Sequence, residues 1–64
     1  MTQKELLYLE DAIGHEQNLA KICEESLNLI DDNQLKSFIE NELNKHNSLK
    51  EELINMMKEK SNGQ

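Results

Sequence analysis

Apolar residues recur along this chain in two long rows stepped by three and four, the spacing that places side chains on one face of an α-helix. The first row runs Leu6, Leu9, Ile13, Glu16, Ala20, Cys23, Leu27, Ile30, and the second Leu35, Ile39, Glu42, His46, Leu49, Leu53, Met56. A flanking set widens each face: Tyr8, Ala12, His15, Leu19, Ile22 and Leu29 beside the first, Phe38, Leu43, Ile54 and Met57 beside the second. Nothing alternates with the period of two that a strand requires. The pattern predicts an all-α chain with one helix over about 3–30 and another over about 32–59. Together they form one helical-hairpin domain over 1–60, with a frayed polar tail at 61–64.

The boundaries carry local signals. Thr2 followed three residues later by Glu5 is a capping box, which satisfies two orphan backbone donors at a helix start. Between the rows stands Asp31-Asp32-Asn33. Asp31 is expected to cap the second helix, with Gln34 at the third position and Ile30 stapled onto Leu35. Asp32 in the first turn then favours the helix dipole and reaches Lys36 one turn on. So short a connection makes the two helices antiparallel neighbours. Gly14 falls inside the first helix at a cost of about 1 kcal/mol relative to alanine, and it reads as a tolerated residue on the outer edge.

A chain of 64 residues permits one thin core, and a single cysteine excludes a disulfide within the chain. Each helix of a hairpin covers only part of its neighbour's wide apolar face. The remainder predicts self-association, most simply a homodimer of hairpins closing into a four-helix bundle. The formal charge is −6, and all seven basic residues are lysines. An acidic chain without a basic stripe argues against nucleic acid and against anionic membranes as partners, and no apolar run approaches membrane-spanning length. The first residues lack the apolar core of a signal peptide, and a lone cysteine suits a reducing compartment, so a cytoplasmic location is expected.

The residues that interrupt the rows are the candidate chemistry. A carboxylate or imidazole on a buried face loses water unless it finds a partner. With the turn near residue 32, residue i is roughly level with residue 64 − i, which brings Glu16 close to His46. Glu42 lies one turn before His46 and is placed to pair with it. A twofold dimer would gather both copies of these groups near its midpoint. Two readings stay open. One is a buried polar layer, Glu16 with His46, that fixes register at some expense in stability. The other is a metal site for iron, manganese or zinc, with Glu16, His46, Glu42 and His15 as ligands. The step from Glu42 to His46 is four residues where di-metal bundles use Glu-x-x-His, and Leu49 stands where a further ligand would follow. His15, at the edge of the face, reads as a seam residue beside Asp11, and Cys23 as an inert packed thiol. No activated serine, glycine-rich phosphate loop or zinc-spaced Cys/His cluster is present, so no enzymatic activity and no other cofactor is expected.

The stretches Leu9-Glu10-Asp11-Ala12-Ile13-Gly14-His15-Glu16, Leu35-Lys36-Ser37-Phe38 and Lys45-His46 resemble small spore coat proteins of the coat F type and their ferritin-like relatives in spore-forming bacteria. The resemblance implies a ferritin-like helical hairpin, a spore coat or forespore setting, a structural role in coat assembly, and other coat proteins as further partners. His15, Glu16 and His46 match the family pattern, whereas Leu49 departs from the histidine-rich second helix expected of such relatives.

Overall fold

The computed structural model describes residues 1–62. They form two helices, α1 (Gln3–Leu29) and α2 (Asn33–Asn62), which pack against each other as an antiparallel hairpin. The hairpin is a slab about 49 Å long, 15 Å wide and 11 Å thick.

Helix α1 starts where the capping box places it. The Thr2 N–H donates to Glu5 Oε1 at 2.8 Å, and the Glu5 N–H donates to Thr2 Oγ1 at 3.1 Å. The hydrogen bonds from Thr2, the backbone one foremost, hold the Glu5 carboxyl below its ordinary value of 4.5. At the other end Ile30 is extended (φ −103°, ψ 131°), and its N–H donates to the Ser26 carbonyl at 3.1 Å.

The cap of α2 differs from expectation by one residue. Asp32, not Asp31, accepts the backbone N–H of Leu35, at 2.9 Å on Oδ1, and its carbonyl accepts from Lys36 at 3.0 Å. Leu35 rather than Gln34 therefore holds the third position, and Asp32 lies outside the first turn instead of within it. The cause is the length of the reversal: with Ile30 already extended, the chain needs Ile30–Asp32 to turn back. Asp32 is then the last residue outside the helix whose carboxylate reaches its first free N–H groups. No described non-glycine residue has positive φ, so the turn needs no glycine. At its far end α2 runs on through Asn62, past the expected stop near residue 59. Ser61 and Asn62 are thus helical, and Gly63 and Gln64 lie outside the described residues. The run Met57-Lys58-Glu59-Lys60 consists of good helix formers, and Lys60 in the last turn complements the helix dipole.

The seam between the helices follows the first row as expected: Leu6, Leu9, Ile13, Glu16, Ala20, Cys23, Leu27 and Ile30 are all covered at least in part. In α2 the covered row is Lys36, Ile39, Leu43, His46, Lys50, Leu53 and Met57. Leu35, Leu49 and Met56, expected at its centre, are exposed instead. An apolar stripe two heptad rows wide does not fix the helix's rotation about its own axis to within one residue, or about 100°. The structure selects the row that faces α1 with Leu43 and Met57. Ala20, 6% exposed, is the one buried residue among those described.

The two broad faces of the slab differ in a regular way. In both helices the residues immediately preceding the seam positions form one outer row, and those immediately following form another. The preceding row reads Tyr8, Ala12, His15, Leu19, Ile22, Ser26, Leu29 in α1 and Leu35, Phe38, Glu42, Lys45, Leu49, Glu52, Met56 in α2. The following row reads Leu7, Glu10, Gly14, Gln17, Lys21, Glu24, Asn28 in α1 and Ser37, Glu40, Asn44, Asn47, Glu51, Ile54, Lys58 in α2. An antiparallel pair has an approximate twofold axis normal to the plane of the hairpin. The same rotational offset in each helix therefore lands on the same side of the slab. One face is consequently rich in large apolar side chains, and the other is mainly polar, with Leu7 and Ile54 its large apolar residues. Gly14 lies in the polar row, where an added Cβ would meet nothing within 4 Å, in keeping with a tolerated outer-edge glycine.

Candidate functional site

The groups that interrupt the apolar rows meet at the middle of the hairpin. Glu16 comes from the centre of α1 and His46 from the centre of α2. In the seam row Glu16 has Ile13 and Ala20 one turn to either side, and His46 has Leu43 one turn before it and Lys50 one turn after, with Leu53 a turn further on. Glu16 Oε2 lies 2.5 Å from His46 Nδ1. The side chains keep 14% and 23% of their exposure, so the pair is largely withdrawn from water. If His46 is neutral with its proton on Nδ1, that N–H donates to the carboxylate and Nε2 keeps its lone pair. If it is protonated, the contact is an ion pair. In either form each group satisfies the other, and no buried side-chain nitrogen or oxygen among the described residues lacks a partner.

Glu42, expected to stack on His46, does not reach it. Its Oε1 lies 3.4 Å from Lys45 Nζ, and the pair belongs to the apolar-rich outer face, with the Lys45 side chain 73% exposed. The physical reason is the same rotation of α2 that exposes Leu49. Turning His46 toward α1 swings Glu42 to the flank, where a lysine three residues on is the nearer partner. His15 stands one residue before Glu16, on the outer face and exposed, and it makes no hydrogen bond or ion pair among the described residues, Asp11 included. Cys23 is a partly covered free thiol in the seam. Of the four residues considered as ligands, two therefore converge within one chain, and among the described residues no group of three His, Cys, Asp or Glu side chains could hold a metal ion.

The register explains what the sequence brought together. The Glu16–His46 contact sets residue i roughly level with residue 62 − i, two residues from the sequence-based estimate, and closes the small axial gap expected between the two groups. The shift follows from the turn falling at Ile30–Asp32. What periodicity reading missed is the sidedness of the exposed apolar residues. The signal was available in the one-residue offset shared by both flanking rows, once α2's seam row is taken as the one containing Leu43 and Met57. At the open end of the hairpin, Tyr8, Leu9 and Met56 line a shallow hollow rimmed by Glu5 and Lys60. No helix among the described residues is long and apolar enough to cross a membrane. Comparisons with models of known protein families, with curated proteins and with solved structures find no match to this chain.

Proposed function

We propose that this chain is a non-enzymatic, self-associating helical protein that acts through protein–protein contacts, a homodimer of hairpins forming a four-helix bundle. The observation that carries this reading is the poverty of the single hairpin's interior: one alanine is buried, while Tyr8, Ile22, Leu29, Phe38 and Met56 are at least half exposed. Folding must offset roughly 1–2 kcal/mol of backbone entropy per residue, and a seam one residue wide removes too little apolar surface from water to do so. A second hairpin supplies the missing cover. The spore coat resemblance extends the proposal to a structural role in coat assembly, with other coat proteins as eventual neighbours.

The test is the mass of the purified protein. Each chain weighs 7.5 kDa, so light scattering at micromolar concentration should give about 2 × 7.5 = 15 kDa, with helicity lost on dilution as the dimer dissociates. A well-folded monomer would defeat the reading.

A second reading, a dimeric binder of iron, manganese or zinc, is favoured by one feature: Glu16 engages Nδ1 of His46. A carboxylate on one imidazole nitrogen orients the ring and leaves the other nitrogen for a metal, with the carboxylate acting from behind as an orienting group. One hairpin brings only this carboxylate and this imidazole together, so the donor set fits a metal only if a second copy adds its own. Elemental analysis of protein prepared without chelator, together with a thermal melt with and without added zinc, separates the readings. Metal at about half an equivalent per chain and a zinc-dependent rise in Tm lost in His46→Ala would support the site; neither would remove it.

A further inference from the structure

We infer that the surface on which a second copy docks is the one face carrying Tyr8, Leu19, Ile22, Phe38, Leu49 and Met56, and that the polar face stays in water. This rests on the self-association reading and deepens it by assigning the interface. Three observations select the face and the occupant.

The first is geometry. Three-and-four spacing, the repeat that lets one helix pack its side chains into the gaps of another, is shared by the outer rows of both sides, but this side fills it with exposed large apolar residues: Tyr8, Leu19, Ile22 and Leu29 in α1, Leu35, Phe38, Leu49 and Met56 in α2. They share one side of a twofold-like hairpin, so the face is complementary to a copy of itself under a twofold axis, as a symmetric dimer requires.

The second is area. A compact monomer of this mass exposes about 4,250 Å² by the usual scaling of surface with mass. This hairpin exposes 5109 Å², an excess of roughly 860 Å², close to the ~800 Å² that one partner contributes to an interface of ordinary size.

The third is charge. Each chain carries −6, so copies repel except where charge is sparse or already paired. Along its central part the apolar-rich face bears charge at Glu42, Lys45 and Glu52, the first two of which already neutralise one another at 3.4 Å, and at the open end Glu5 and Lys60 add one charge of each sign. The opposite face carries Glu10, Lys21, Glu24, Glu40, Glu51 and Lys58, whose burial against a like surface would strip water from each. A cover that must be present whenever the chain folds is most simply the chain itself.

The test uses single cysteines in the full chain with Cys23→Ser. Ile22→Cys reports on the apolar-rich face and Gln17→Cys on the polar one; both positions are exposed in the hairpin. At concentrations where the mass is that of a dimer, a maleimide probe should label Ile22→Cys at least tenfold more slowly than Gln17→Cys, and dilution should erase the difference. A paired substitution adds an independent arm. Ile22→Glu with Phe38→Glu should abolish the dimer, either as a monomer or as an unfolded chain, whereas Gln17→Glu with Asn44→Glu should leave it intact. A wild-type dimer that labels equally at both positions, or protects Gln17→Cys, overturns the choice of face. A folded wild-type monomer overturns self-association itself, so the two failures are distinguishable.

Discussion

The two broad faces of this hairpin are built from the same helices, at the same levels, one residue to either side of the seam positions. Stepping back one residue from the seam gives mainly apolar side chains, Tyr8, Leu19, Ile22, Phe38 and Met56 among them; stepping forward one gives mainly polar ones, Glu10, Gln17, Glu24, Asn44 and Glu51 among them, with Leu7 and Ile54 the large apolar exceptions. Backbone geometry and helix propensity are nearly equal on both sides, so the difference lies wholly in which side chains the sequence puts there. An apolar face that served only the fold of one chain would point at the other helix. Here the helices already have a seam, and the second apolar face points away from it. The contrast teaches that much of the hydrophobic patterning in this chain does not serve the contact between its two helices.

Between the faces lies the seam, whose polar pair gives the largest single-residue effect after the interface substitutions described above. Glu16→Ala leaves the His46 imidazole largely buried without its acceptor, and the loss should be about 1 kcal/mol or somewhat more, the lower part of the range for an orphaned polar group because His46 keeps some exposure. Glu42→Ala removes a pair whose lysine is mostly in water, and should change stability by no more than about 0.5 kcal/mol. Urea unfolding at one fixed protein concentration measures both. Equal losses would mean that seam and outer face are not the distinct environments described here. Glu16→Leu with His46→Leu should fold at least as stably as the parent, since well-packed apolar residues often equal a buried pair. If the pair fixes register, that double variant should populate more than one dimeric species on native electrophoresis.

Much of this arrangement was legible in the sequence, and the reasons divide cleanly. Helix type, the α1 cap at Thr2 and the meeting of Glu16 with His46 depend on short spacings and on a turn of few residues, all of which are local. The one-residue error at the α2 cap arose because Asp31 and Asp32 are equally good caps in isolation. Only the extended conformation of Ile30 decides between them. The misplaced row in α2 arose from abundance: Leu35, Leu43, Leu49, Leu53, Met56 and Met57 span two heptad rows, and periodicity alone cannot say which faces α1. Glu42 followed that rotation away from His46 to Lys45. Ligation is a different matter. It depends on groups that a second chain would add, and one chain's pattern contains no term for them.

The polar face makes a gentler prediction that bears on the same contrast. Gly14 lies on it with open space where a methyl would be, in ordinary helical conformation. Gly14→Ala should stabilise the protein by about 1 kcal/mol through helix propensity, with the dimer's mass and dissociation unchanged. A loss of stability or a weakened dimer would place a close neighbour on that face, against the assignment made above.

The most local effect expected is at the N-terminus of α1, at the open end of the hairpin and away from its centre. The bond from the Thr2 backbone lowers the Glu5 carboxyl below 4.5 in the folded chain. A group whose pKa falls on folding binds its proton more weakly in the native state, so its contribution to stability is complete above the unfolded value and is lost as pH drops through the folded one. Stability should therefore decline below about pH 4.5 partly through this cap, and Glu5→Gln should flatten that part of the profile without altering neutral-pH association. Thr2→Ala should cost about 1 kcal/mol at neutral pH by leaving the Glu5 N–H without its acceptor. The cap orders the first turn of α1, on which the turn carrying Tyr8 is built, so Thr2→Ala should also speed hydrogen exchange over residues 3–8 while exchange at Ile22 stays as it was. Equal acceleration at both would mean that the end of α1 and its centre open as one unit, and that the interface is held less by its middle than the exposed rows imply.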